Sequence, residues 1–517
     1  MNMMALWRST FIVSAMTMLS RVMGLIRDMV LLNVFGAGKD FDTFVVAFRI
    51  PNFFRRLFAE GAFSQAFIPV LTEYKTTKLH AEVQILISRV FGCLLTVMTA
   101  LTLLCMIVAP AILYVYAPGF HADAAKFDLS VDLFRLTIPY LMFMSLTAFA
   151  SSILNSYGSF TTPAFAPVLL NIAMIAGALW LSPYMETPIM ALGWAVVFAG
   201  ILQLALQIPE LWRKKLLIPP KVDFKHEGVE RILKLMLPAL FGVSVTQINL
   251  LLNTIWASFM QNGSVSWLYT AERMTELPLG LIGVAIGTVI LPALSARKAE
   301  QDQTKFKAML DWAARVIVFA GIPASIALFM LSTPIIQALF QHGAFDARAT
   351  EMTALALQCM SGGVLAFMLI KVFAPGFYAI QDTKTPVRVG LMAVAANAIL
   401  NVVFIGIFKW MGWEELHMAL ALSSTGSALV NAGMLYFYLH KREIFRFGPH
   451  WKKLFFQFVV GNAVMIAALW YGLSWYNPDV APWIRVFEVL ALCILGVVAY
   501  VLGLFATGFR PRQLKHG

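Results

Sequence analysis

The sequence predicts an all-α polytopic membrane protein. We expect about 14 transmembrane helices: two parallel six-helix repeats forming two lobes around a central cavity, plus two extra C-terminal helices. Three observations predict this. The 517 residues are 60% hydrophobic and only 13% charged, with a mean hydropathy of +0.77, whereas a soluble domain carries about 25% charged residues. The apolar residues fall in runs of ~20 or more, the length a helix needs to cross a bilayer. The basic residues collect in alternate links between those runs. This composition excludes disordered, collagenous and small disulfide-rich classes, and it disfavours a soluble multidomain enzyme.

The spans lie near 10–35, 42–71, 86–116, 129–156, 163–182, 188–208, 231–260, 266–294, 308–339, 350–378, 386–408, 416–439, 453–475 and 484–508. Residues 9–19 resemble the apolar part of a signal peptide, but no small-x-small cleavage site follows before Arg21, so the first span is read as retained. Pro51, Pro139, Pro238, Pro278 and Pro386 predict kinks, which a membrane bundle tolerates. An even number of spans puts both termini on one side. Links on that side hold about 25 Lys and Arg, the largest group lying in 209–234. The other side holds only Lys39, Lys126, Arg348, Lys409 and Arg485. Both termini are therefore expected in the cytoplasm. This bias accounts for the net charge of +12 without a nucleic-acid partner. Cys93, Cys105, Cys359 and Cys493 all sit in apolar runs and read as core residues.

An internal repeat runs through the chain at an offset near 223. FIPVLTEY (67–74) pairs with VILPALSA (289–296), AFRIPN (47–52) with AERMTE (271–276), and FTTPAF (160–165) with TKTPVR (383–388). The third pair aligns Pro163 with Pro386. Six spans per repeat make the repeats parallel, the two-lobed transporter plan. The expected divisions are an N-lobe at 1–210, a cytoplasmic linker at 211–228, a C-lobe at 229–440, and spans thirteen and fourteen with the tail at 441–517.

Charges inside spans carry the functional reading. Span one holds Arg21, Arg27 and Asp28; span two holds Asp42, Arg49, Asn52, Arg55, Arg56 and Glu60; span eight holds Glu272, Arg273 and Glu276. Arg21 and Asp28 are seven apart, as are Asp42, Arg49 and Arg56, so each set shares a helix face. A charge at the centre of a span costs ~2.5–3.5 kcal/mol on insertion scales. Several on one helix must face a wet cavity or each other. Arginine keeps its charge and presents a planar fork of donors suited to phosphate, so the cavity predicts an anionic substrate, a phosphate or diphosphate. Alternatives stay open at this point. Arg27 near a span end fits snorkelling, and Arg55, Arg56 and Glu60 fit structural ion pairs. Arg135, Arg315 and Lys371 read as single structural charges. The pairs Asn249/Asn253 and Asn397/Asn401 fit helix–helix hydrogen bonding better than a cation site. Gly280, Gly283 and Gly287 fit close packing or a hinge. No Walker A loop, HExxH or Gly-x-Ser-x-Gly motif occurs, and no link is long enough for a catalytic domain. No enzyme activity and no metal are expected.

The stretches MTMLSRVMGLIRDMVLLNVFGAG and DTFVVAFRIPNFFRRLFAEGAFSQAFIPVLTEY resemble the MurJ (MviN) lipid II flippases of the multidrug/oligosaccharidyl-lipid/polysaccharide exporter superfamily. PAFAPVLLNI at 163–172, GSVSWLYTAERMTELPLGLIGVAIGTVILP at 263–292 and KVFAPGFYAIQDTKTPV at 371–387 extend the resemblance across the chain. It implies translocation of lipid II, the undecaprenyl-diphosphate-linked disaccharide-pentapeptide, to the periplasmic leaflet. It places substrate-binding cations at Arg21, Arg27, Arg55 and Arg273. Asp28, Asp42, Arg49, Arg56, Glu60 and Glu272 also fall on motif positions, as cavity or gating residues, and Asn52 joins them from the stripe itself. Spans thirteen and fourteen would form a groove for the lipid tail. Partners implied are lipid II, membrane lipids and, as a further candidate, cell-wall synthesis proteins. No cofactor is implied; coupling to the membrane potential or to a monovalent cation stays open. The alternatives are a flippase for another polyprenyl-diphosphate-linked oligosaccharide, a cation-coupled drug exporter on the same fold, and a membrane enzyme of polyprenyl-phosphate metabolism.

Overall fold

The structure, a computed structural model, describes residues 3–57, 63–283, 286, 290, 294–295, 298, 302–510 and 513. Among these residues every regular element is helical. The chain divides into two compact units, Met1–Val265 and Ser266–Gly517.

In the first unit, α1 (Met3–Phe35) ends where Gly36 adopts a φ of 69° and returns its N–H to the Leu32 carbonyl at 2.9 Å. This is the left-handed helix stop that glycine makes without a Cβ penalty. Next come α2 (Lys39–Leu57), α3 (Phe63–Thr77), α4 (His80–Ile107) and α5 (Ala109–Tyr116). They are followed by α6 (Ala124–Thr137), α7 (Pro139–Ser156), α8 (Thr161–Ala176), α9 (Met190–Ala205), α10 (Ile208–Arg213) and α11 (Glu227–Ser258). α1 packs along α8, α2 against α6 and α7, α9 against α7 and α8, and α11 against α3.

The boundary between the units falls at the start of α12 (Ser264–Pro278). The second unit continues with α13 (Gln303–Met330), α14 (Ser332–Phe340), α15 (Ala347–Ser361), α16 (Val364–Ala379), α17 (Lys384–Trp410), α18 (His417–Lys441), α19 (His450–Leu473) and α20 (Pro482–Ala506). Its core joins Leu310, Ile317, Phe373, Phe377, Leu439 and Phe458, all at most 2% exposed, from α13, α16, α18 and α19. α19 and α20 pair along their length. Their contact includes Gly461 and Gly503, where a Cβ on Gly503 would meet the Gly461 Cα at 3.0 Å, the small-residue approach that membrane helices use.

Among the described residues nine helices are long and apolar enough to cross a membrane, or ten when α15 and α16, bent by 42° at Gly362–Gly363, count as one span. The four other expected spans fall on α1, α2–α3, α11 and α12, the helices holding the intramembrane charges and the Asn249/Asn253 pair. Prolines act by position. Pro139 starts α7 where α6 ends, and Pro386 falls in the first turn of α17, where no N–H is required. Pro51 stays inside α2.

Much apolar surface faces outward. On α19 and α20, Trp470 is 77% exposed and Ile494 64%. Such contiguous apolar surface on a folded chain marks contact with lipid. Trp180, Tyr184, Trp410, Trp475 and Trp483 are all exposed and lie at helix ends in links with few basic residues, as interfacial aromatic belts do.

The repeat is written into the backbone. Gly158 and Gln381 both take positive φ, at 78° and 62°. Ser159 N–H donates to Leu154 at 2.9 Å, and Asp382 N–H to Phe377 at 3.0 Å. Each pair is 223 apart (381 − 158, 382 − 159, 377 − 154), the offset that also aligns Pro163 with Pro386. Thr162 and Thr385, 223 apart again, each donate a hydroxyl at 2.6 Å to a carboxylate, Glu210 in the first unit and Asp382 in the second.

Candidate substrate-binding site

α1 presents Arg21 on an exposed face. Two turns on, Arg27 and Asp28 are 6% and 2% exposed. Arg27 donates from Nε and Nη2 to Asp28 Oδ1 at 2.9 and 2.6 Å, and from Nη1 to Asn171 Oδ1 of α8 at 3.0 Å. Asn171 Nδ2 returns to the Ser20 carbonyl at 3.1 Å. Arg27 is therefore a buried, oriented guanidinium in the α1–α8 contact rather than a snorkelling side chain. The sharing of a face by Arg21 and Asp28 does not give them equal exposure: Asp28 is buried and Arg21 exposed.

α2 carries the longest polar stripe. Asp42, 1% exposed, accepts from Lys126 Nζ at 3.2 Å and from the Gly263 N–H at 2.7 Å, just ahead of α12. Lys126, 4% exposed, also donates to Asn262 Oδ1 at 2.7 Å and lies 4.0 Å over the Phe120 ring. Next to this pair, Lys39 meets Asp123, the N-cap of α6, at 2.6 Å. Further along α2, Arg49 donates to the Thr254 hydroxyl of α11, and Arg55 Nε donates to Asn52 Oδ1 at 2.9 Å. Each of these two acceptors is a neutral group that orients the guanidinium. Arg56 lies on α2, with its side chain outside the described residues, and Glu60 lies wholly outside them.

In the second unit, Glu272 and Arg273 sit half-buried on α12. Arg273 Nη1 meets Glu276 Oε2 at 3.0 Å, with its guanidinium carbon 6.0 Å from the Tyr269 ring centre. Pro278 ends the regular helix, and a wider π turn covers Leu279–Gly283. No group of three metal-ligating side chains occurs among the described residues.

Sequence reasoning assigned no role to four partners. Lys126 counted only as an outer basic residue, and Asn171, Thr254 and Asn262 are single polar residues whose partners lie over 130 positions away in the chain. The one signal was Asn171, an amide inside the apolar PAFAPVLLNI stretch.

Bilayer-length helices, outward apolar surface and charges stored inside spans define a multi-pass α-helical membrane protein with a polar interior, the pattern of transporters and ion pathways. The family described as "Lipid II flippase MurJ" matches residues 31–493. A "Probable lipid II flippase MurJ" of Vibrio cholerae is 42% identical over 99% of this chain and 98% of its own length. A "Lipid II flippase MurJ" of Burkholderia cenocepacia is 40% identical over 98% of each. Among solved structures, "Lipid II flippase MurJ, inward closed conformation" superposes with a TM-score of 0.79 at 26% identity, over 95% of this chain and 98% of that one. The fold also matches an inward-facing multidrug resistance MATE family transporter of the MOP superfamily, with a TM-score of 0.68 at 14% identity, over 82% and 94%. The chain belongs to the MurJ lipid II flippase family.

Proposed function

We propose that this chain moves lipid II from the cytoplasmic to the periplasmic leaflet of the bacterial inner membrane by alternating access, with both termini in the cytoplasm. The observation that carries the reading is full-length similarity, 42% over 99% of the chain, to a relative named for that activity. The charges inside the spans support it in physical terms. A diphosphate cannot cross hydrocarbon unaided, and Arg21, Arg27, Arg55 and Arg273 replace its hydration with charge-assisted hydrogen bonds. The polyprenyl tail stays in lipid along the apolar surface of α19 and α20. No bond is made or broken, so the chain acts as a transporter rather than an enzyme.

Arg27 is held by Asp28 and Asn171 and presents a preset charge, whereas Arg21 is exposed and free to follow the ligand. Asp42, tied to Lys126 and the Gly263 N–H, acts as a latch that must release when the state changes. The inside-negative potential drives an anion outward by ~2.3 kcal/mol per charge per 100 mV. A monovalent cation gradient is the competing source of drive.

The test is complementation of depleted cells by Arg21→Ala and Arg273→Ala, each expressed at the normal level. Loss of growth by both supports the arginine-lined path. Full growth by both overturns it.

A further inference from the structure

The second unit holds a cavity, lined in part by charged side chains, that the flipping reading does not use. Its volume is about 390 Å3, and it is lined by Asp311 and Arg315 of α13, His450, Lys453 and Leu454 of α19, and Gln513 of the tail. The walls are fixed by a chain of contacts. Arg315 Nε lies 3.0 Å from Asp311 Oδ2, and Arg315 Nη1 donates to the Gln513 carbonyl. Nη2 takes part in neither contact. Asp311 accepts from the Trp451 indole N–H at 2.7 Å and lies 3.1 Å from His450 Nε2. Phe509 stacks on Phe319 at 5.8 Å, which brings the tail against α13.

Three features define the ligand. The first is charge: Arg315 and Lys453 against Asp311 leave one net positive charge before His450 is counted, which suits an anion. The second is position. The cavity lies between the third and fourth turns of α13, downstream of Lys305 and Lys307, and the first two turns of α19, which carry Lys452 and Lys453. The third is the surface below it. Phe455, Phe456 and Val459 of α19 are 60%, 63% and 50% exposed. Phe455 and Phe456 follow Lys452 at i+3 and i+4, and Phe456 follows Lys453 at i+3, so Phe456 shares a face with both lysines, and Val459 continues from it at i+3.

We propose that this cavity binds the phosphodiester headgroup of an anionic phospholipid, with Arg315 and Lys453 on the phosphate and the acyl chains along Phe456 and Val459. A basic pocket between membrane helices is suited to such headgroups. The proposal stands independently of the lipid II reading.

The test uses the full-length protein in neutral detergent, titrated with phosphatidylglycerol, phosphatidylcholine or inorganic phosphate, and read by thermal unfolding and by native mass spectrometry. Phosphatidylglycerol is expected to raise Tm and to remain bound, while phosphatidylcholine and inorganic phosphate do neither. Lys453→Glu changes the local charge by two and should weaken the apparent affinity roughly thirty-fold, at about 1 kcal/mol per charge near an anionic lipid surface. Lys452→Glu makes the same change in net charge one residue outside the cavity and should weaken it severalfold less. Equal effects of the two variants, or none from either, would overturn the site. Equal protection by inorganic phosphate would overturn the lipid as its ligand.

Discussion

The carboxylate of Asp42 and the ammonium of Lys126 form a buried ion pair, 3.2 Å apart, in which neither residue is more than 4% exposed. The pair joins the start of α2 to the start of α6, and through the Gly263 N–H it also holds the residue before α12. Removing one member of a buried pair leaves the other charge stranded, which costs about 3–5 kcal/mol. Lys126→Met and Asp42→Asn should each lower the thermal stability of the purified protein clearly. The double variant should lose about 1–3 kcal/mol less than the sum of the singles. Additive losses in a double-mutant cycle would show that the two residues are not coupled.

Arg21 and Arg27 should separate in their effects. Arg21 is exposed, so Arg21→Ala should keep expression and unfolding temperature near wild type while abolishing complementation. Arg27 holds Asp28 and Asn171, so Arg27→Ala should cost both function and stability. Asn171→Leu removes the acceptor of a charged donor and should destabilise by about 1–3 kcal/mol. Thermal unfolding, run beside growth assays, distinguishes these outcomes.

Asp382 predicts an acid limb of stability. Burial alone would raise its pKa, but the Thr385 hydroxyl and N–H, together with the Arg442 guanidinium, outweigh burial and bring it to about 2. An unfolded Asp titrates near 3.9. Because the folded value is the lower one, this contribution is complete above that unfolded pKa and is lost as pH falls through the range from about 4 to about 2. Asp382→Asn should therefore lower the unfolding temperature at pH 6 and lose its difference from wild type as pH falls toward 2. A difference unchanged across that range would contradict the assignment.

Gly92 predicts an order dependence for the basic linker. A Cβ there would lie 2.3 Å from the Lys221 carbonyl carbon and oxygen. The linker is docked by Lys221 N–H to the Ser88 carbonyl at 3.1 Å, Ser88 Oγ to the Pro219 carbonyl at 2.7 Å, and Gln84 Nε2 to the Lys215 carbonyl at 2.8 Å. Gly92→Ala should cost about 1–3 kcal/mol by overpacking and should speed tryptic cleavage after Lys221 and Lys225. Unchanged cleavage kinetics would show that the linker does not depend on this approach.

The helical class, the family and the repeat were legible because each is written in local pattern. Apolar runs have bilayer length, and the 223-residue offset reappears in the Gly158 and Gln381 turns. Lys126 was not legible, because a lysine in an outer link looks solvated until the fold brings Asp42 to it. Arg27 was readable as a span charge, but its burial depends on Asn171, 144 positions away. The bend between α15 and α16 was hidden for a different reason. Gly362 and Gly363 interrupt a run whose hydropathy continues unbroken, so composition reads one span where the backbone makes two helices.

The central claim is outward movement of lipid II, and the most direct measurement is its accessibility from the periplasmic side. Cells depleted of this protein are treated with an externally added enzyme that cleaves lipid II, and the protected fraction is measured. The account predicts that lipid II accumulates and becomes protected, and that wild type restores cleavage while Arg21→Ala does not. Lipid II that stays fully cleavable while growth fails would contradict the account and assign the chain a different substrate.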